Sequence, residues 1–280
     1  MRAQPWLGTL VEVALARADA SEPRFAAAFA AIEHVHRRMS AHDPASDLAR
    51  IARFAHRRPV RVDRETAAVL RLALRLARAT AGGFDATVPR SRARRARATG
   101  MQALHLVPGR RVRTDTPLAL DLGGIAKGHA VDRAVAALQR GGTSAGIVNA
   151  GGDLRAFGGD HWTPVRVRMP DASTIAAPLF ELRDAASATS SDAFRGSAMA
   201  LFDPSRRRLR SYPGSVTVVA PTCAVADALT KIVALRPGRA PRLLSRLRAH
   251  AFRIAPGATS WSTTLQQPTD RLRLAPALRP

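Results

Sequence analysis

The chain has 280 residues, a hydrophobic share of 46% and a formal net charge of +23. That length and apolar content suit a globular α+β unit with a substantial core, and the absence of any run of 18 apolar residues argues against a membrane span. The charge would ordinarily point to nucleic acid, but the basic residues are spread through every segment without zinc-finger spacing or an RNA-binding aromatic signature, so no specific nucleic-acid role is expected.

Leu7 to Leu15 has the β-branched content and partial alternation of a strand. Ser21-Glu-Pro23 opens a helix that carries Phe25, Phe29, Ile32, Val35 and Met39 on one face. Ser46 caps a short helix through Ile51, and Arg64 to Ala79 forms a longer one that stops at Gly82-Gly83. Phe84 to Val88 reads as a surface loop in which Asp85 stabilises a turn. A hairpin is predicted over Leu104–Val107 and Arg111–Arg113, then a strand over Leu118–Asp121.

Gly123-Gly124 follows that strand, and a helix begins near Lys127 and runs to Arg140. Such a turn lets backbone approach a ligand and aims N–H groups at negative charge. The spacing matches neither a Walker A loop nor G-x-G-x-x-G. Strand Gly146–Asn149 leads to a second glycine pair, Gly151-Gly152, with Asp153 expected to fix a turn. Further strands are predicted over Val165–Arg168, Phe180–Arg183, Ser215–Ala220 and Ala251–Ile254, with helices over Ala224–Leu235 and Pro241–His250. The tail after Trp261 has no strong pattern and is expected to be irregular.

Two further features bear on the site. Of 44 basic residues only Lys127 and Lys231 are lysines, and both stand in motif-like segments. The arginine runs Arg90–Arg97 and Arg206–Arg210 read as solvated faces. The single cysteine, Cys223, excludes an internal disulfide and reads as a small buried residue beside a helix start. No signal region or lipid-acceptor cysteine is legible at Met1 to Gly8, which gives a cytoplasmic expectation for the sequence as it stands.

Taken together, Leu7-Gly-Thr9, Met39-Ser40 to Ser46, Gly82-Gly-Phe-Asp85 to Thr87-Val88, Asp121-Leu-Gly-Gly-Ile-Ala-Lys127 and on to Asp132, Asn149-Ala-Gly-Gly-Asp153, Ala188-Thr-Ser190, Asp203-Pro204 and Ala226-Asp-Ala-Leu229 form a specific series spanning about residues 7–235. In this series the chain resembles the FAD:protein FMN transferases, the ApbE-type flavin transferases. The resemblance implies one flavin transferase domain over residues 1–280, built as mixed, largely antiparallel sheets with flanking helices in two intertwined lobes. It implies cleavage of FAD at its pyrophosphate and attachment of FMN to a Ser or Thr hydroxyl of an acceptor, a redox protein, with release of AMP and with Mg²⁺ neutralising charge. The alternative is a relative that binds or hydrolyses FAD without transfer to protein.

By the same resemblance Phe84, Asp85, Asp121, Lys127, Leu7 and His42 contact FAD, the Gly124 carbonyl and Asp227 bind Mg²⁺, and Lys127 and Asp227 act in catalysis. Leu7 stands where the family has methionine, and His42 where it has an aromatic. The family's Asp-Ala-x-x-Thr is here Asp227-Ala-Leu-Thr-Lys231, which puts lysine at the expected metal-ligand position. Three arrangements answer this: Thr230 takes the ligand role, the metal has one ligand fewer, or the Lys231 ammonium occupies the cation site. The family's His-Ile-Ile-Asp-Pro is Ala200-Leu-Phe-Asp-Pro204.

Overall fold

The structure is a computed structural model that describes residues 1–87, 100–160, 162–168, 175–191, 200–203, 208–212, 214–255, 261–264 and 269–274. The run Arg90–Arg97, Pro204, Arg206 and Arg207 lie outside them. In chain order the elements are β1 (Arg2–Trp6), β2 (Thr9–Leu15), α1 (Glu22–Met39), α2 (Asp47–Phe54), β3 (Val60–Arg61), α3 (Arg64–Ala79), β4 (Leu104–Val107), β5 (Arg111–Thr114) and α4 (Ala126–Arg140). There follow β6 (Gly146–Ala150), β7 (Asp153–Phe157), β8 (Thr163–Arg168), β9 (Ile175–Leu182), β10 (Ala186–Ser191), β11 (Ala200–Asp203), β12 (Arg208–Ser211) and β13 (Ser215–Ala220). The chain closes with α5 (Cys223–Leu235), α6 (Ala240–Arg246), β14 (His250–Ile254), β15 (Trp261–Thr263) and β16 (Leu272–Leu274).

The fold is α+β, and every strand pairing recorded residue by residue is antiparallel. The chain divides into two compact units, one of Met1–Ile32, Lys127–Leu201 and Leu209–Pro280, the other of Glu33–Ala126 and Phe202–Arg208.

The first unit is built on an eight-stranded sheet, ordered β1-β2-β6-β7-β10-β13-β14-β15. Its central strand β13 is buried along its whole length, as the apolar run Val216-Thr-Val-Val219 requires. A three-stranded sheet, β16-β9-β8, supplies Val165, Val167, Phe180, Leu182 and Leu272 to a core shared with Val219, Phe252 and Ile254. There Phe180 and Phe252 stack with centroids 4.7 Å apart, which contributes about 0.5–1.5 kcal/mol beyond area burial. The second unit holds α2, α3 and the small sheet β3-β5-β4. Ser46 caps α2 through the Ala49 N–H, and Asp63 caps α3 through the Glu65 N–H.

Five expectations are corrected. Leu7 is not in a strand: Leu7 and Gly8, with φ of 57° and 74°, form the turn between β1 and β2. Positive φ at both central residues is the type I′ signature, which matches the twist of the paired strands. Leu118–Asp121 belongs to no sheet; Leu120, and Leu122 just beyond it, are buried without pairing, and Leu118 is half-buried. Phe84 to Thr87 is not a surface loop, since Phe84, Ala86 and Thr87 are all buried. The tail is not irregular throughout, because β15 pairs with β14 and β16 with β9. The predicted helix from Pro241 also stops at Arg246, and His250 begins β14.

Ahead of α1, Asp19 accepts hydrogen bonds from the Ser144 N–H at 2.7 Å and hydroxyl at 2.5 Å, and from Arg24 at 2.9 Å. The Ser144 bonds, aided by Arg24, hold the carboxyl below its ordinary value. A carboxylate whose pKa is depressed by folding stabilises fully above its unfolded pKa of about 4 and loses that contribution as pH falls through its folded value. Asp19→Asn is therefore expected to lower stability at neutral pH and to flatten the decline below about pH 4, measured by urea denaturation across an acid series.

Candidate functional site

The first unit gathers both lysines around one carboxylate. Asp227 lies on α5, a helix buried along nearly all its length against β10 and β13, and its side chain is fully buried. Lys231, one helical turn on, places its ammonium on Asp227 Oδ1 and donates to the Asp227 carbonyl at 3.1 Å. From α4, Lys127 Nζ lies 3.7 Å from Asp227 Oδ2, and the Gly128 N–H reaches that same oxygen at 3.3 Å. Lys127 also sits 2.7 Å from Asp153 Oδ2, an ion pair whose geometry falls short of an aligned hydrogen bond. The lysine side chains remain 29% (Lys127) and 20% (Lys231) exposed while the carboxylates are buried, so the open side of the cluster is cationic.

The two carboxylates titrate apart. Burial and the neighbouring Asp227 push Asp153 up to about 6 against the pull of Lys127. Burial also acts on Asp227, but Lys127 and Lys231, with the Gly128 N–H, overcome it and hold that group below the ordinary carboxylate range. Burial alone would lower Lys127; attraction to Asp227 and Asp153 instead raises it above the usual lysine value.

Helices α4 and α5 cap each other. Thr222 precedes α5 without a side-chain cap, and Asp132 of α4 supplies it, accepting from the Cys223 and Ala224 N–H groups at 2.9 Å each. Arg155 on β7 holds Asp132 at 2.7 Å. In return Asp227 accepts from the first turn of α4 at Gly128, the end favoured for negative charge. The helices meet so closely that a Cβ at Gly128 would lie 2.3 Å from the Cys223 carbonyl oxygen. Cys223 is buried, and burial pushes its thiol up.

Asp153 does not fix its turn, contrary to expectation; Asn149 does, its Oδ1 accepting from the Gly152 N–H at 3.0 Å. The turn links β6 to β7 through Gly151 and Gly152, both at positive φ, and Gly151 packs so near Thr9 that a Cβ would meet its hydroxyl at 2.4 Å. Leu7 is half-buried in the β1–β2 turn. Thr230 is buried, donating to the Asp227 carbonyl at 2.7 Å and sharing a 2.8 Å hydrogen bond with Ser190.

In the second unit, Asp85 turns back on its own loop, accepting from the Thr87 N–H and hydroxyl at 2.7 and 2.6 Å. The Asp121 N–H joins this loop at the Ala86 carbonyl, 2.8 Å away, while its carboxylate accepts from the Gly123 N–H at 2.8 Å. Phe84 is buried behind, its N–H bound to the Thr80 hydroxyl at 2.9 Å. Gly124 lies in the turn that leads into α4, and His42 is exposed, its N–H donating to the Ser40 hydroxyl at 3.2 Å. The sequence-predicted residues Phe84, Asp85 and Asp121 are thus neighbours, as are Lys127, Asp227 and Lys231. Asp132 closes the Asp121–Asp132 motif, but its capping role and the pairing of Asp153 with Lys127 were missed; a cation in an apolar helix start demands a carboxylate, and that demand was the available signal for Asp153.

The ApbE family model matches residues 7–253. The chain belongs to the ApbE family. Among solved structures, this ApbE-family chain is similar to the ApbE protein of Thermotoga maritima, at 25% identity and a TM-score of 0.80 over 93% of this chain and 95% of that one. It is also similar in fold to flavin transferase ApbE from Vibrio cholerae, at 23% identity, TM-score 0.77 and coverage of 94% and 95%. The flavinyl transferase ApbE of Pseudomonas stutzeri gives 22% identity, TM-score 0.78 and coverage of 94% and 93%. No curated protein matches the chain significantly by sequence.

Gly128→Ala is expected to destabilise the protein by about 1–3 kcal/mol, because the new methyl meets backbone that cannot yield without moving α5. Asp132→Ala should cost a similar amount, about 1–3 kcal/mol, by leaving the buried Cys223 and Ala224 N–H groups without an acceptor. Chemical denaturation of both variants measures these losses.

Proposed function

We propose that this chain transfers FMN from FAD to a hydroxyl of an acceptor protein. The observation that carries the reading is the cationic face made by Lys127 and Lys231 over two buried carboxylates, in a chain of the ApbE family. In the reaction, the acceptor Ser or Thr oxygen attacks the FMN phosphorus and the bond from that phosphorus to the bridging oxygen breaks. AMP leaves with the electron pair, and the hydroxyl proton passes to a base. Charge accumulates on phosphoryl oxygens, so fixed ammonium groups lower the barrier by Coulombic stabilisation in a partly desolvated setting.

Lys127 is assigned to the pyrophosphate, and Asp227 to orienting the two ammonium groups. The family resemblance further assigns Phe84, Asp85, Asp121, Leu7 and His42 to FAD, and we propose that role for them. The Mg²⁺ that the resemblance implies does not fit the side chains at Asp227. Both carboxylate oxygens are engaged by ammonium or N–H groups, Lys231 takes the expected ligand position, and Thr230 is committed to Ser190 and the Asp227 carbonyl. Among the described residues no group of three or more His, Cys, Asp or Glu could hold a metal ion. The proposed reaction is accordingly written without a metal-borne step. No helix among the described residues is long and apolar enough to cross a membrane. A redox protein carrying an accessible Ser or Thr is the proposed acceptor.

Incubation with FAD and a Ser- or Thr-containing carrier peptide, read by intact mass and by AMP release, tests the reading. Transfer gives the mass of FMN on the peptide with equivalent AMP; free FMN with AMP would make the chain a hydrolase, and neither product would overturn the proposal. Lys127→Met is expected to lower turnover by about 10²-fold.

A further inference from the structure

Asp227 is a buried carboxylate that already has the positive charge a metal would otherwise bring. Its Oδ1 holds the Lys231 ammonium and its Oδ2 faces the Lys127 ammonium and the Gly128 N–H. With Asp153 paired to Lys127 at 2.7 Å, two carboxylates and two ammonium groups form a balanced set. A divalent cation entering this set would meet two ammonium charges within a few ångström and would have to displace one of them. The one neighbouring hydroxyl on α5, Thr230, is buried and turned to β10.

Both lysines of a chain that otherwise uses arginine converge on this one carboxylate. The geometry favours lysine there. Residues four apart on a helix face each other at about 5–6 Å, a distance a compact ammonium on a flexible stem can close onto its neighbour while leaving part of its charge toward solvent. Two of the three Lys231 donors go to Asp227, and with the side chain one-fifth exposed the third is left for a ligand.

We infer that Lys231 serves as a built-in cation at Asp227, so that this site binds the nucleotide pyrophosphate without a divalent metal. The inference rests on the proposed use of FAD, but its metal half stands apart from it. In a chain built this way, Lys231→Thr removes the ammonium, restores a hydroxyl oxygen beside Asp227 and creates a metal requirement.

Two measurements on the full-length protein separate the parts. Mn²⁺ titration followed by electron paramagnetic resonance, without nucleotide, is expected to show no bound ion on the wild type and one bound ion on Lys231→Thr. FAD affinity, followed by flavin fluorescence, is expected to change by less than about twofold between EDTA and Mg²⁺ for the wild type, and by about tenfold or more for Lys231→Thr. Lys231→Met, with neither ammonium nor oxygen, should bind FAD weakly under both conditions and bind no Mn²⁺. Stoichiometric Mn²⁺ on the wild type, or FAD affinity that collapses in EDTA, overturns the inference. If wild-type protein binds no FAD at all, the flavin reading fails, while the Mn²⁺ titration of the wild type still decides the metal question. That titration needs no variant to fold.

Discussion

Helices α4 and α5 are held together by carboxylates that each cap the other's N-terminus. Asp132 of α4 satisfies the Cys223 and Ala224 N–H groups, and Asp227 of α5 accepts from Gly128. Free N–H groups at a buried helix start cost roughly 1–3 kcal/mol each when unpaired, so the arrangement fixes the register of one helix on the other. Only a residue without a side chain permits the approach, because the Cys223 carbonyl occupies the space beside Gly128. Lys127 and Asp227 are thus brought together by packing before any ligand is considered.

Burying Asp227 and Asp153 together sets a second constraint. Two carboxylates out of water repel, and each must be neutralised or protonated. Burial pushes both up; Lys127, Lys231 and the Gly128 N–H overcome it at Asp227, whereas at Asp153 burial and the charge of Asp227 prevail over Lys127 and Lys231. Lysine suits such a place because its compact charge can be shared between two carboxylates, as Lys127 is. Among the described residues, the ion pairs given for these two carboxylates are with Lys127 and Lys231.

Legibility from the sequence followed what each element depends on. Where one face or a whole strand is buried, as in β13 or α3, apolar spacing revealed it. β1 went unread because it is an edge strand with four of its five residues exposed, including Pro5, so no alternation exists to see. β16 has a single buried residue, Leu272, and is defined only by its pairing to β9. Leu118–Asp121 failed in the opposite sense, Leu120 being buried outside any ladder. At the site, lysine scarcity and the family motifs singled out Lys127, Asp227 and Lys231. The roles of Asp132 and Asp153 depended on partners 91 and 26 positions away, a separation that neither spacing nor composition reports.

The contacts made along α5 bear on how lysine is accommodated beside Asp227. Residues three and four positions on from Asp227 flank it on the same helix face, so Thr230 and Lys231 are both its neighbours and their hydrogen bonds tell them apart. Thr230 points to β10, where Ser190 and the Asp227 carbonyl satisfy its hydroxyl in a fully buried place. Turning the Thr230 hydroxyl to a metal at the Asp227 carboxylate would give up both hydrogen bonds, and each buried polar group so left unpaired costs roughly 1–3 kcal/mol. The Lys231 ammonium already lies on that carboxylate, so in the folded chain lysine, not threonine, is its partner on α5.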